Sequence, residues 1–118
     1  PLPVALSSQG PLAVQPVSAA APEALSGTAA ISTLAGPFVP VSGRPVILTL
    51  SGDWDGSVQL ERSVDGGANR HALTVGGLRW GHYAANVCEA VWEEAEQGAQ
   101  LWLAITVATG SVEYRVAQ

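Results

Sequence analysis

Alternation of apolar and polar side chains over residues 57–65 is the feature that most constrains how this chain can fold. Val58 and Leu60 are apolar, and the residues on either side of each are polar. A period of two gives a β-strand one buried face and one face in contact with water. Asp65-Gly66-Gly67 then supplies the positive φ angles of a tight turn, and the alternation resumes beyond it. The stretch 52–74 therefore predicts a β-hairpin.

Further strand signals follow at even spacing from Arg44 onward. The expected strands cover residues 46–50, 58–65, 71–75, 78–83, 86–92, 100–108 and 112–116. Turns are expected at Ser51-Gly52-Asp53, Gly76-Gly77 and Thr109-Gly110. This pattern predicts an all-β fold, a small antiparallel β-sandwich of jelly-roll or immunoglobulin-like type. A short helix over 84–97 is the alternative for one segment, because Ala and Glu favour helices.

The first third of the chain has a different composition. Residues 1–43 hold seven of the eight prolines and a single charge, Glu23. Prolines interrupt every helical window, and the apolar content is unlike that of a solvated tail. We expect an extended arm over 1–43, lying on the chain's own sheet or on a neighbouring subunit, and a β-sandwich domain over 44–118. Short strands at 28–34 and 38–41 are expected within the arm, and a disordered leader is the alternative.

Charge and cysteine content exclude several classes of partner and site. The formal net charge is -5, with no lysine and five dispersed arginines, which disfavours nucleic acid and anionic membranes. The single Cys88 cannot form an internal disulfide and is expected to be a small buried hydrophobe of a chain folded in a reducing cytoplasm. No signal peptide or membrane-spanning run is apparent, and Pro1 suggests removal of an initiator Met or a truncated start.

One local motif resembles a known turn. Ser63, Asp65, Gly66 and Gly67 match the start of S-x-D-x-G-x-x-W, the Asp box of sialidase-type β-propellers, in which Ser and Asp bond the backbone of the turn and the aromatic packs beneath it. Arg70 stands at the aromatic position, and one copy cannot build a propeller. These four residues are therefore predicted to stabilise a turn.

Candidate catalytic and metal-binding groups are sparse. Asp53, Asp55, Glu61 and Asp65 lack the ligand density of a calcium loop. Three glutamates, at 93, 94 and 96, predict a solvated turn, with a partner-facing charge cluster as the alternative. His71 and His82 lie near no nucleophile motif, so we expect no enzyme, no metal site and no cofactor.

The four tryptophans at 54, 80, 92 and 102 allow two interpretations. In one, they fill the core and shield sheet edges. In the other, one or two are exposed anchors for a partner or stack on a sugar. Trp54, flanked by Asp53 and Asp55, is the best candidate for an exposed anchor.

Two blocks of sequence carry a resemblance to a group of proteins. The stretch 54–67 has the pattern W-x-G-x-V-x-L-x-R-S-x-D-G-G, and 105–116 has the form of a closing hairpin followed by a polar end. Together they resemble small structural proteins of tailed bacteriophages and prophages. The aromatic usual after D-G-G is replaced around Asn69-Arg70, and the N-terminal arm lies outside the resemblance.

The resemblance implies a non-enzymatic virion component made in the bacterial host cytoplasm. Capsid decoration is the leading expectation, with the arm laid across neighbouring capsid subunits. A tail, head–tail adaptor or fibre component, or a carbohydrate-binding β-sandwich, is the alternative. The partners would be the major capsid protein or other virion subunits. A core of ~75 residues with no expected disulfide or metal site is marginally stable alone, which favours a homo-oligomer. The expected partner contacts are Leu12, Val14, Val17, Leu25, Ile31, Leu34, Phe38 and Trp54.

Overall fold

The computed structural model describes residues 20–118, and the predicted contacts Leu12, Val14 and Val17 lie outside this range. The described residues form nine strands and no helix. The strands are β1 (Leu25–Ala29), β2 (Thr33–Phe38), β3 (Pro45–Ser63), β4 (His71–Ala72), β5 (Thr74–Val75), β6 (Leu78–Arg79), β7 (His82–Tyr83), β8 (Val87–Glu93) and β9 (Gln100–Ala117). Their pairings are all antiparallel. The predicted all-β fold class is confirmed, and the helix considered over 84–97 is replaced by β8.

Two long strands, β3 and β9, form the centre of the sheet. They pair along their whole length, from Ile47 opposite Ala117 to Ser63 opposite Gln100. The predicted strand end at Ser51-Gly52-Asp53 and the predicted turn at Thr109-Gly110 are therefore wrong. Glycine explains the difference, because it lets a strand bend without ending. Gly52 and Gly110 have φ of +104° and +77° and lie against the backbone of the opposite strand.

A one-residue bulge in β9 sets which side chains face the core. Asp55 pairs with Thr109 and Gly56 with Val107, so Ala108 is the extra residue. In β3 the buried apolar residues are even-numbered on both sides of the bulge, Val46, Leu48 and Leu50 on one side and Val58 and Leu60 on the other. In β9 the residues of the hydrophobic core are odd-numbered before the bulge (Leu101, Leu103, Ile105) and even-numbered after it (Val112, Val116). The bulge thus keeps the apolar faces of both strands on the same side of the sheet.

The seven-stranded sheet consists of four rows. The first row is β1 followed by β2, the second is β9, the third is β3, and the fourth is β4, β7 and β8. The register shift between Asp55 and Gly56 divides these rows into two halves, and buried residues from both halves form one hydrophobic cluster. The two layers of the sandwich are therefore continuous through the long strands. The hairpin β5–β6 forms a separate two-stranded sheet.

The sheet begins earlier than the sequence analysis placed it. Strands β1 and β2 both lie within the segment 1–43 that was assigned to the arm, and both pair with β9. The interval 39–44 is also fixed, because the Gln118 side chain accepts from the Val41 amide at 2.8 Å and donates to the Val41 and Arg44 carbonyls. The described part of the predicted arm thus lies on the chain's own sheet, one of the two surfaces expected for it.

Candidate interaction surface

The predicted partner contacts that the structure describes fall into three groups. Ile31 and Leu34 are exposed, at 75% and 45%. Leu25 is partly buried against the core. Phe38 is only 2% exposed and belongs to the hydrophobic core, so it is not available to a partner. The correction for Phe38 follows from the pairing of β2 with β9, which turns that side chain inward opposite Leu101.

Trp54 is not the exposed anchor that its acidic neighbours suggested. Its indole is half-buried against the core, and its Nε1 donates to Asn86 Oδ1 at 2.8 Å. Among the four tryptophans Trp80 is the exposed one, at 42%, and its Nε1 donates to the Val91 carbonyl at 2.7 Å. Trp92 and Trp102 are half-buried. The interpretation of the tryptophans as mainly packing residues fits three of the four.

The β5–β6 hairpin exposes a cluster of apolar side chains. Val75 pairs with Leu78 across the turn, so both lie on the same face of the hairpin. They are 51% and 75% exposed, and Trp80 continues this face toward the base. At the base, Leu73 is buried and its carbonyl accepts from the Trp80 amide at 2.9 Å. We call Val75, Leu78 and Trp80 the hairpin surface. Exposed apolar side chains grouped on a projecting element are typical of protein interaction sites.

The Asp-box-like turn has the hydrogen bonds that its sequence predicts. Ser63 Oγ accepts from the Gly67 amide at 2.8 Å, and Asp65 accepts from the Asn69 backbone amide at 2.9 Å and from the Asn69 side chain at 2.7 Å. These bonds to Asn69 and Ser63 lower the pKa of Asp65 to about 2. The Asp65 carboxylate therefore stabilises the turn through hydrogen bonds within it.

The aromatic missing from this turn is supplied by another strand. Trp102 of β9 lies directly beneath Gly67, where a Cβ would come within 2.6 Å of its ring. Arg70, which stands at the aromatic position of the motif, places its guanidinium 5.8 Å from the Trp102 ring centroid and bonds Glu61 at 3.1 Å. No local sequence signal could connect Trp102 with the turn, because it is brought there by strand pairing.

The acidic loop after β8 contains a buried ion pair. Glu94 is 2% exposed, which contradicts the prediction that it belongs to a solvated turn. Arg62 contacts both of its carboxylate oxygens, at 2.7 and 2.8 Å, and also Glu96 at 2.8 Å. Trp92 Nε1 and the Glu96 amide donate to the same carboxylate. The hydrogen bonds from Arg62 lower the pKa of Glu94 to about 2, and the two carboxylates raise the pKa of Arg62.

This ion pair predicts a specific loss of stability in acid. Because folding lowers the pKa of Glu94 from its ordinary 4.5 to about 2, its contribution is complete above pH 4.5 and is lost as the pH falls toward 2. The shift corresponds to about 3 kcal/mol. We expect urea unfolding of Glu94→Gln to depend less on pH between 4.5 and 2 than that of the wild type. Asp65 titrates in the same window in both proteins, so it cancels in the comparison. Identical slopes would contradict the prediction.

The remaining candidate groups do not assemble into a chemical site. Cys88 is exposed, so its predicted burial is wrong; it lies on the outer face of β8, where its sulfur accepts a 3.4 Å bond from Thr49. His71 and His82 are exposed on β4 and β7. Within residues 20–118, no three His, Cys, Asp or Glu side chains are grouped so that they could hold a metal ion.

A search for membrane-spanning helices finds none of sufficient length and apolar character among residues 20–118.

Comparisons with protein-family models, with curated proteins and with solved structures found no match.

Proposed function

We propose that this chain is a non-enzymatic structural subunit of a tailed-phage particle, and within that class a capsid decoration protein. The observation that carries the proposal is the hairpin surface, where Val75, Leu78 and Trp80 are exposed together on or next to a hairpin that forms a sheet of its own. The resemblance of 54–67 and 105–116 to small phage virion proteins supports the same class.

Two elements would bind the partner in this proposal. The hairpin surface is one, and the uncharged segment 1–19 is the other. Each apolar side chain buried at a contact contributes about 1.5–3 kcal/mol before the costs of binding, so a single copy would bind weakly. Repetition over a symmetric shell raises the effective affinity, because each contact increases the local concentration of the next. In this proposal, the partner that presents such repeated contacts is the major capsid protein or another virion subunit.

The other functions considered have less support. A tail, adaptor or fibre component would use the same surface, and location on the particle separates it from decoration. A carbohydrate-binding site would present a pair of exposed aromatic rings. Trp80 is the one exposed ring among the aromatic residues, all of which fall within 20–118, and its N–H is already bonded to Val91.

Binding to purified capsids tests the proposal. We expect the full chain to co-sediment with capsids of the phage or prophage that encodes it, and Val75→Ser/Leu78→Ser to bind at least about tenfold more weakly. Deletion of 1–19 is expected to weaken binding as well; a deletion to residue 43 would remove β1 and β2 and is unsuitable. Thr74→Ser, on the opposite face of the hairpin, is the matched control.

The result that contradicts the proposal is equally direct. A wild-type chain that does not bind capsids excludes decoration, and binding to purified tails instead would favour the adaptor or fibre alternative. Capsid binding unchanged by both the double substitution and the deletion would exclude the two elements named here.

A further inference from the structure

Among the residues that the structure describes, no strand covers the outer edge of β1, and β1 itself carries no charged side chain. Within residues 20–118, β1 and β2 pair with β9 on one side and with no strand on the other. Residues 24–43 contain no Asp, Glu, Lys, Arg or His. Natural sheets normally blunt such edges with charges, prolines or bulges, because exposed backbone groups pair readily with another strand.

Charges, histidines, a proline and a bulge protect the opposite edge of the sheet and the part of the same edge that β2 forms. The fourth row carries Glu89 and Glu93 on β8 and histidines on β4 and β7. In β2, Pro37 and a register shift between Ala35 and Phe38 interrupt the edge. Strand β1, with the sequence LSGTA, is regular and free of proline. Within the described seven-stranded sheet, β1 is thus the edge strand that has no ionisable residue, no proline and no register shift.

On the outer face of the sheet, the strand next to β1 carries two opposite charges two residues apart, Glu113 and Arg115 of β9. Ser26 pairs with Arg115 and Thr28 with Glu113, and all four side chains are exposed. Glu113 also accepts a 3.4 Å bond from Ser51 on the far side. Because Ser26 and Thr28 are small, they leave the space toward the edge open to these longer side chains.

We propose that β1 is a self-association edge at which two copies of this chain pair antiparallel about a two-fold axis through Gly27. Ser26 of one copy then lies opposite Thr28 of the other, and Leu25 opposite Ala29. The four-row sheet of each copy becomes half of a continuous eight-row sheet. A two-fold contact of this kind uses the same patch on both copies and closes without further growth.

The charges of β9 select this register. Pairing about Gly27 places Arg115 of each copy on the same cross-sheet line as Glu113 of the other, three strand spacings or about 14 Å apart between Cα atoms. Because the Glu113 carboxylate lies beside Ser51 on the side away from the edge, this attraction acts over a long distance and is strongest at low ionic strength. Pairing about Ser26 would instead align Arg115 with Arg115, and pairing about Thr28 would align Glu113 with Glu113. Both alternatives align like charges at the same separation, which disfavours them relative to pairing about Gly27.

Sedimentation equilibrium of the full chain tests the proposal. We expect a concentration-dependent dimer, and Ser26→Lys/Thr28→Lys to raise its dissociation constant at least about thirtyfold, because lysines on an edge strand block pairing. Thr106→Lys, an exposed strand residue away from this edge, is the matched control and should leave the dimer unchanged. A monomer at every concentration, or a dimer that persists with both edge lysines, would overturn the proposal.

Two further experiments test the register. Charge reversal by Arg115→Glu should weaken the dimer about tenfold, and Glu113→Arg/Arg115→Glu should restore it. In a Cys88→Ser background, a mixture of Ser26→Cys and Thr28→Cys chains should form a disulfide-linked heterodimer, since directly opposite residues lie within disulfide range. Strong cross-linking of Ser26→Cys alone would show pairing about Ser26 and overturn the proposed register. Self-association is measured without capsids, so its failure leaves the proposed capsid binding untouched.

Discussion

Replacing Glu94 by alanine is expected to lower the free energy of unfolding by about 3 kcal/mol, and replacing Arg62 by alanine should cost a similar amount. Each substitution removes one partner of a pair joined by bonds of 2.7 and 2.8 Å. Loss of Arg62 leaves the Glu94 carboxylate buried without its counter-ion, since that side chain is 3% exposed. Chemical denaturation at pH 7 measures both losses.

The matched control uses the same arginine. Arg62 also pairs with Glu96, whose side chain is 59% exposed, so Glu96→Ala should cost less than about 1 kcal/mol. The double variant Arg62→Met/Glu94→Leu should be closer to the wild type than either single alanine variant, because it leaves no buried charge without its partner and Glu96, which also loses Arg62, is solvated. Equal effects of Glu94→Ala and Glu96→Ala would contradict the assignment of a buried pair.

Gly110→Ala is expected to lower the free energy of unfolding by at least about 4 kcal/mol and to prevent folding in a domain of ordinary stability. Gly110 lies opposite Trp54 with a φ of +77°. An added Cβ would collide with the backbone carbonyl of Asp53 and lie 2.9 Å from the Trp54 Cα. The obstacle is backbone on the paired strand, so a side-chain rotation cannot relieve it.

Gly98→Ala separates the steric effect from the conformational one. Gly98 has a similar positive φ of +92°, but nothing lies within 4 Å of an added Cβ. Its substitution should cost only the strain of the left-handed region, about 1–2 kcal/mol. Circular dichroism and thermal unfolding of the two variants make the comparison. Equal stability of the two would show that β3 and β9 are not as closely apposed at the bend as the structure has them.

Local signals were sufficient for the elements whose partners are close in sequence. The alternation around Val58 and Leu60 and the glycines at 66 and 67 predicted the β3–β4 hairpin, and Gly76-Gly77 predicted the turn of β5–β6. The same local logic failed at Gly52 and Gly110. A glycine in a strand pattern signals either a turn or a bend, and only the pairing of β3 with β9 decides between them.

Contacts between residues distant in sequence could not be predicted from pattern. Arg62 and Glu94 are 32 residues apart, so a charged run in a loop gave no sign that one carboxylate was buried. Residues 1–43 were assigned to an arm because prolines interrupt every helical window. Two short strands were expected within it, at 28–34 and 38–41, and the structure has two there with other bounds, β1 and β2. The hairpin surface was missed because Leu78 and Trp80 resemble ordinary strand residues, and their exposure depends on how far the β5–β6 hairpin projects.

The extra residue at Ala108 means that the inward-facing positions of β9 change from odd to even numbers along the strand. Upstream of the bulge its core positions are odd-numbered, and downstream they are even-numbered. Deleting that one residue would act as a structural frameshift, exchanging Val112 and Val116 for Glu113 and Ala117 on the inner face while β3 kept its phase. An insertion and a deletion on opposite sides of the bend could compensate each other, so related chains are expected to tolerate length changes here only in matched pairs.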